Sequence, residues 1–139
     1  MKILLPLLLA CVALVSPAMA EDPHETVVPK FAHEIPNIPG KSLISVEVDY
    51  PPGGASLPHH HAKSGFLYVY VLSGAIESQL EGEAPRTYRA GDSFFEPPGS
   101  HHVLGRNLSK TEPAKLLAVF VADTNDKALT VPDSQGSKQ

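Results

Sequence analysis

The sequence predicts an all-β domain folded as a sandwich or barrel. Three observations carry this: apolar residues recur with period two, the segments that hold them are short and bounded by glycine and proline, and no stretch offers an amphipathic helix of three turns. Many short strands in one small domain bury their apolar faces by packing sheet on sheet or by closing into a barrel. No repeat of fixed period and no low-complexity block interrupts the pattern.

Residues 1–20 read as a signal peptide. Lys2 precedes an apolar run from Ile3 to Val15, and Ala18-Met19-Ala20 supplies a small-x-small cleavage site, so the chain is expected to be periplasmic or secreted. The run is shorter than the ~20 residues of a spanning helix. Leu8-Leu9-Ala10-Cys11 also resembles a lipobox, although apolar sequence continues beyond Cys11.

Residues 21–40 hold Pro23, Pro29, Pro36 and Pro39, together with His24 and His33, and read as an extended arm, since proline lacks the donor that helices and central strands need. The barrel is expected over residues 41–124. Ile44, Val46, Val48 and Tyr50 alternate with Ser45, Glu47 and Asp49 in a half-buried strand that Pro51-Pro52-Gly53-Gly54 stops. Further strands follow at Gly65–Leu72, Ala75–Leu80, Arg86–Arg89, Ser93–Glu96 and His101–Leu104, with turns at Ser73-Gly74, Gly82–Pro85, Ala90–Asp92 and Pro97–Gly99. Lys115–Ala122 is nearly all apolar, as a strand covered on both sides would be. Residues 125–139 read as a polar tail with a small apolar patch at Leu129–Val131.

Composition narrows the function. Removing 20 of 139 residues leaves 119 and moves the formal charge from -4 to -5, which suits one domain. Cys11 is the only cysteine, so the mature chain has no disulfide. A mildly acidic chain without a run of Lys or Arg argues against nucleic acid and against an anionic membrane surface. Small molecules, metals and protein partners remain.

Five of the seven histidines fall at His59–His61 and His101–His102. In an extended segment His59 and His61 share one face while His60 points to the other. Two imidazoles at that spacing, joined by a third from a neighbouring strand, put three nitrogens on one side of an ion and leave the opposite side open.

The spacing resembles that of the cupin superfamily. Gly53, five residues, His59-x-His61 and then Gly74 is similar to the first cupin motif; Gly91, five residues, Pro97-x-Gly99, two residues, His102 and then Asn107 is similar to the second. The 16 residues between Gly74 and Gly91 fit the short end of the cupin range. The resemblance implies a small jelly-roll barrel in which His59, His61 and His102 bind one divalent metal. Fe, Zn, Cu, Mn and Ni are not distinguished, although outside the cytoplasm the affinity order favours Zn2+ and Cu2+.

Cupins usually place a glutamate seven residues before the glycine of the first motif, and that position here is Leu67. Either the site lacks a carboxylate or another residue supplies it. Glu96, just before the Pro97-Pro98-Gly99 turn, is the nearest candidate, as a fourth ligand or as a partner of one; Gln79 is a weaker one. Three imidazoles without an anion would favour an anionic or chelating substrate, with Arg106 the cation closest in sequence to His102. His60 and His101 are expected to face outward or to support the ligands, and Tyr68, Tyr70, Tyr88, Phe94 and Phe95 to lie in the core.

The resemblance implies a metalloenzyme of dioxygenase type acting on a small molecule, and the leader at residues 1–20 makes export the expectation. Isomerase, decarboxylase and lyase chemistry occur on the same scaffold, and a non-enzymatic periplasmic binder of a metal or small molecule is the alternative. Cupin barrels commonly pair, so a homodimer is expected, with the arm able to add a strand to a neighbour.

Overall fold

The computed structural model describes residues 24–133. The signal peptide expected over residues 1–20, Cys11 with its lipobox-like context, and residues 134–139 of the tail lie outside the described residues. Ten strands follow in order: β1 (Thr26–Glu34), β2 (Lys41–Tyr50), β3 (His59–His61), β4 (Phe66–Ser73), β5 (Ala75–Leu80), β6 (Arg86–Arg89), β7 (Ser93–Glu96), β8 (His101–Asn107), β9 (Ala114–Asp123) and β10 (Thr130–Pro132). No helix occurs among the described residues.

The strands form two five-stranded sheets, ordered β1-β2-β9-β4-β7 and β10-β3-β8-β5-β6, the two layers of a jelly roll. The apolar β9 lies at the centre of the first sheet between β2 and β4, which explains its lack of polar alternation. The core between the layers gathers Val48, Tyr50, Leu67, Val69, Ile76, Leu116, Ala118 and Phe120.

Both ends of the chain join these sheets. The expected arm is β1, which pairs antiparallel with β2 of its own chain and tolerates Pro29 because it is an edge strand with a register shift between Pro29 and Phe31. The sheets also run beyond residue 124: β10 pairs with β3, and Leu129 packs on the core.

Three aromatics expected inside are on the outside. Tyr68, Tyr70 and Phe95 are 42, 38 and 60% exposed. On β4 the inward phase belongs to Leu67, Val69 and Val71, which forces Tyr68 and Tyr70 outward. Phe94 packs against the core, with Tyr88 stacked on its ring at 4.1 Å.

Two features lock the register of β8. The Pro97–Gly99 turn bonds back to β3, with Gly99 N donating to the Ala62 carbonyl at 3.1 Å and His61 N to the Ser100 carbonyl at 3.0 Å. Gly99 makes this bend at φ 72°, which side-chain-bearing residues rarely adopt. At the far end Asn107 is buried, its amide donating to the carbonyls of Pro51 at 3.2 Å and Glu112 at 2.7 Å. Asn107 is thus a clip between loops and lies apart from the histidines.

Candidate metal centre

Strand β3 has only three residues, and its alternation decides which histidines face inward: His59 and His61 are buried and His60 is exposed. Strand β8 brings the third, because antiparallel pairing sets His59 directly against His102 and His60 against His101. His59, His61 and His102 each offer a ring nitrogen, and the three lie within 4.8 Å of one another.

Hydrogen bonds on the outer edges aim these rings. His59 Nδ1–H donates to the Leu57 carbonyl at 2.7 Å and His61 Nδ1–H to the Leu129 carbonyl at 3.4 Å. A carbonyl can only accept, so both rings carry their proton on Nδ1 and turn the Nε2 lone pair into the site. His102 is held by Ser78, whose Oγ lies 3.0 Å from Nε2, while Nδ1 faces His59 Nε2 at 3.3 Å. Ser78 has almost no signature in the sequence; its one signal is a position two residues beyond the buried Ile76. Gln79 points the other way and donates to the Glu83 carbonyl at 2.8 Å.

Glu96 arrives from the opposite sheet. In the β4–β7 pairing it stands directly across from Leu67, and both residues are buried. Its Oε2 lies 2.8 Å from His61 Nε2, and its Oε1 lies 4.0 Å from His102 Nδ1. The 2.8 Å approach lacks hydrogen-bond alignment, and both atoms are buried without a hydrogen-bond partner. With the His61 proton on Nδ1, two electron-pair donors face each other, and only a shared proton or a bound cation relieves them. Such an arrangement is repulsive on its own and suits a cation, so the residues fit a divalent metal.

Protonation agrees. Burial pushes the His59 and His102 imidazoles below their ordinary value, which keeps them neutral. Burial raises the Glu96 carboxyl, but contact with His61 and the nearby His102 ring outweigh it and hold the group below the usual carboxylate range. Neutral imidazole and ionised carboxylate are the forms that coordinate metals.

A cavity of about 320 Å³ opens beside these four residues. Aliphatic side chains such as Val46, Val48 and Leu116 form most of its wall, and Glu25 and Lys127 are the other charged residues lining it among those described. Arg106 does not line it. Its guanidinium pairs with Glu77 at 2.6 Å on the exposed side of the sheet, because residue 106 has the opposite phase to the buried Gly105 and Asn107. Nor is the centre without an anion, since Glu96 supplies one.

The profile of the cupin domain family matches residues 46–120, more than half of the chain. This chain is a cupin. The cupin is 34% identical over 93 residues to germin-like protein subfamily 2 member 2 of Arabidopsis thaliana, covering 62% of this chain and 41% of that protein. It is 30% identical over 93 residues to the rhicadhesin receptor of Pisum sativum, covering 62 and 42%. It therefore spans about two fifths of the length of these relatives. Among solved structures, the cupin domain of Cnp3 from Schizosaccharomyces pombe superposes with a TM-score of 0.59 at 21% identity, covering 72% of this chain and 62% of that one. Oxalate oxidase in complex with the substrate analogue glycolate superposes with a TM-score of 0.56 at 24% identity, covering 78 and 57%. These structures share the fold.

Proposed function

We propose that this cupin binds one divalent metal ion through His59 Nε2, His61 Nε2, a ring nitrogen of His102 and the Glu96 carboxylate, and acts on a small molecule as a metalloenzyme of dioxygenase type. The observation that carries the reading is the buried, unbridged approach of His61 Nε2 to Glu96 Oε2 at 2.8 Å. A redox-active ion bound there would supply oxygen activation and Lewis-acid polarisation.

The chain's own residues define the rest of the reaction site. Glu96 neutralises part of the ion's charge, so a singly anionic chelating substrate balances the remainder. Lys127, exposed yet lining the cavity, can draw such an anion inward. The aliphatic wall excludes water and limits the substrate to what a space of about 320 Å³ admits. Imidazole and carboxylate accept Fe, Zn, Cu, Mn and Ni alike, so metal identity is a matter for measurement.

Metal analysis of protein from its native compartment, with His59→Ala and His102→Ala variants, tests the centre. One equivalent of metal that disappears in both variants is expected; a metal-free protein whose variants melt unchanged would end the proposal. Oxygen uptake or product from catechols, thiols or diketones, tried with the Fe-, Cu- and Zn-loaded forms, tests the chemistry.

A non-enzymatic binder is the second reading, favoured by the wall itself. Among the described residues Glu96 is the acid in contact with the buried histidines, and as a ligand it is not free to carry protons, which leaves Glu25 as the one other acid on the cavity wall. Thermal shifts with those compounds in the absence of turnover would support this reading.

We further infer that the protein works in the periplasm or outside the cell, from Lys2, the apolar run and Ala18-Met19-Ala20. A native N-terminus at Glu21 is the expected result, and an intact Met1 would overturn it. A homodimer also remains our proposal. The outward stripe of Phe66, Tyr68, Tyr70 and Phe95 beside the edge strand β7 offers an apolar face for a second copy. Sedimentation of Phe95→Glu should show monomer where the wild type shows dimer.

A further inference from the structure

The same two strands carry a second histidine cluster on their outer face. His60 and His101 are directly opposed in the β3–β8 register, their rings stacked at 4.0 Å with an interplanar angle of 7°. The end of β10 brings Asp133 to the edges of both rings. One carboxylate oxygen lies 3.2 Å from His60 Nδ1, and the other lies 2.8 Å from His101 Nε2. These three residues, from β3, β8 and the position just after β10, place one ligand atom each within 4.8 Å of one another.

We propose that His60 Nδ1, His101 Nε2 and Asp133 form a second, exterior site for a divalent cation of the Zn2+ or Cu2+ type, back to back with the buried centre. Imidazole and carboxylate donors suit such borderline ions. The atoms that now share protons with the Asp133 carboxylate are those that would share an ion.

The remaining nitrogen of His101 supports this assignment. Metal-bound histidines generally donate their other ring N–H to a carboxylate, which fixes the tautomer. Glu81 Oε2 lies 3.5 Å from His101 Nδ1, at ion-pair distance, and is placed to accept that proton once Nε2 is taken by an ion. His60 is half exposed, which leaves coordination positions for water or for a ligand from another molecule. The exterior ion would bind more weakly than one in the buried centre, having three protein ligands, and these in contact with solvent.

Occupancy would also have a structural effect. Asp133 follows the segment that carries Lys127 and Leu129 along the cavity wall. An ion held by Asp133 ties that segment to β3 and β8, the strands that hold the buried histidines.

Equilibrium titration of untagged, metal-stripped full chain with Zn2+ tests the proposal. Two equivalents are expected for the wild type and one for the His60→Ala/His101→Ala variant. Asp133→Asn should weaken the second equivalent by about tenfold or more. Circular dichroism melts establish that each variant is folded. The same number of equivalents in the wild type and the double variant would overturn the exterior site, and full affinity in Asp133→Asn would remove Asp133 from it. Loss of the exterior equivalent with the inner one retained, or the reverse in His59→Ala, tells failure of one site from failure of the other.

Discussion

Glu96 and Leu67 face each other across the β4–β7 ladder, both turned into the barrel interior. The position where cupins usually carry a glutamate holds leucine, and the carboxylate enters from the neighbouring strand.

The exchange can be reversed by mutation. Glu96→Leu should lower metal affinity by about ten- to a hundredfold. Adding Leu67→Glu to that variant should restore most of it, because the new carboxylate starts from the paired position on the same face. A double variant that binds no better than Glu96→Leu, measured by chelator competition, would show that the two positions are not interchangeable.

This exchange also marks the limit of what the sequence makes legible. The histidines are readable because strand alternation is local: His59-x-His61 needs only its own geometry. Placing Glu96 requires the β4–β7 register, in which positions 67 and 96 meet through an intervening hairpin that no short window contains. Ser78 stays hidden because a serine two residues beyond Ile76 is indistinguishable from an ordinary strand residue until His102 is set beside it. Strand β1 is masked by Pro29 and by the prolines on either side of it, and β10 is too short for periodicity to declare it.

Ser78→Ala should separate orientation from ligation. Without the hydroxyl at His102 Nε2, that ring loses its anchor but keeps its nitrogens. Metal should still bind, with an affinity about tenfold lower, and the fold should melt almost unchanged. Metal affinity equal to the wild type would mean that Ser78 does not position His102.

The metal-free protein should lose stability on acidification. His59 and His102 titrate below their ordinary value when folded, because burial disfavours the charged ring. The unfolded chain then binds more protons between the folded values and about pH 6.5, so this stability is present above pH 6.5 and is lost as pH falls through the folded values. Melts of chelator-treated protein from pH 8 to pH 5 should show a falling Tm. A flat or rising Tm, or the same slope in His59→Ala/His102→Ala, would contradict it.

Gly74 is expected to resist substitution. It turns at φ 72°, and an added Cβ would stand 2.7 Å from the Ala114 Cβ and 2.9 Å from the Pro113 carbonyl oxygen. Strain and overlap together should cost Gly74→Ala about 2 kcal/mol or more. Denaturant unfolding would measure it, and a loss near zero would mean that β5 and β9 part without difficulty.

The Leu129 carbonyl bears on the order in which the centre can form. It accepts from His61 Nδ1, 68 residues earlier, and from Ala62 N, so the proton placement that frees His61 Nε2 depends on a segment near the end of the chain. During synthesis the three histidines and Glu96 leave the ribosome well before that carbonyl does. A growing chain therefore holds the three histidines and Glu96 before it holds the group that orients His61, so the arrangement described here is complete only once residue 129 has joined it.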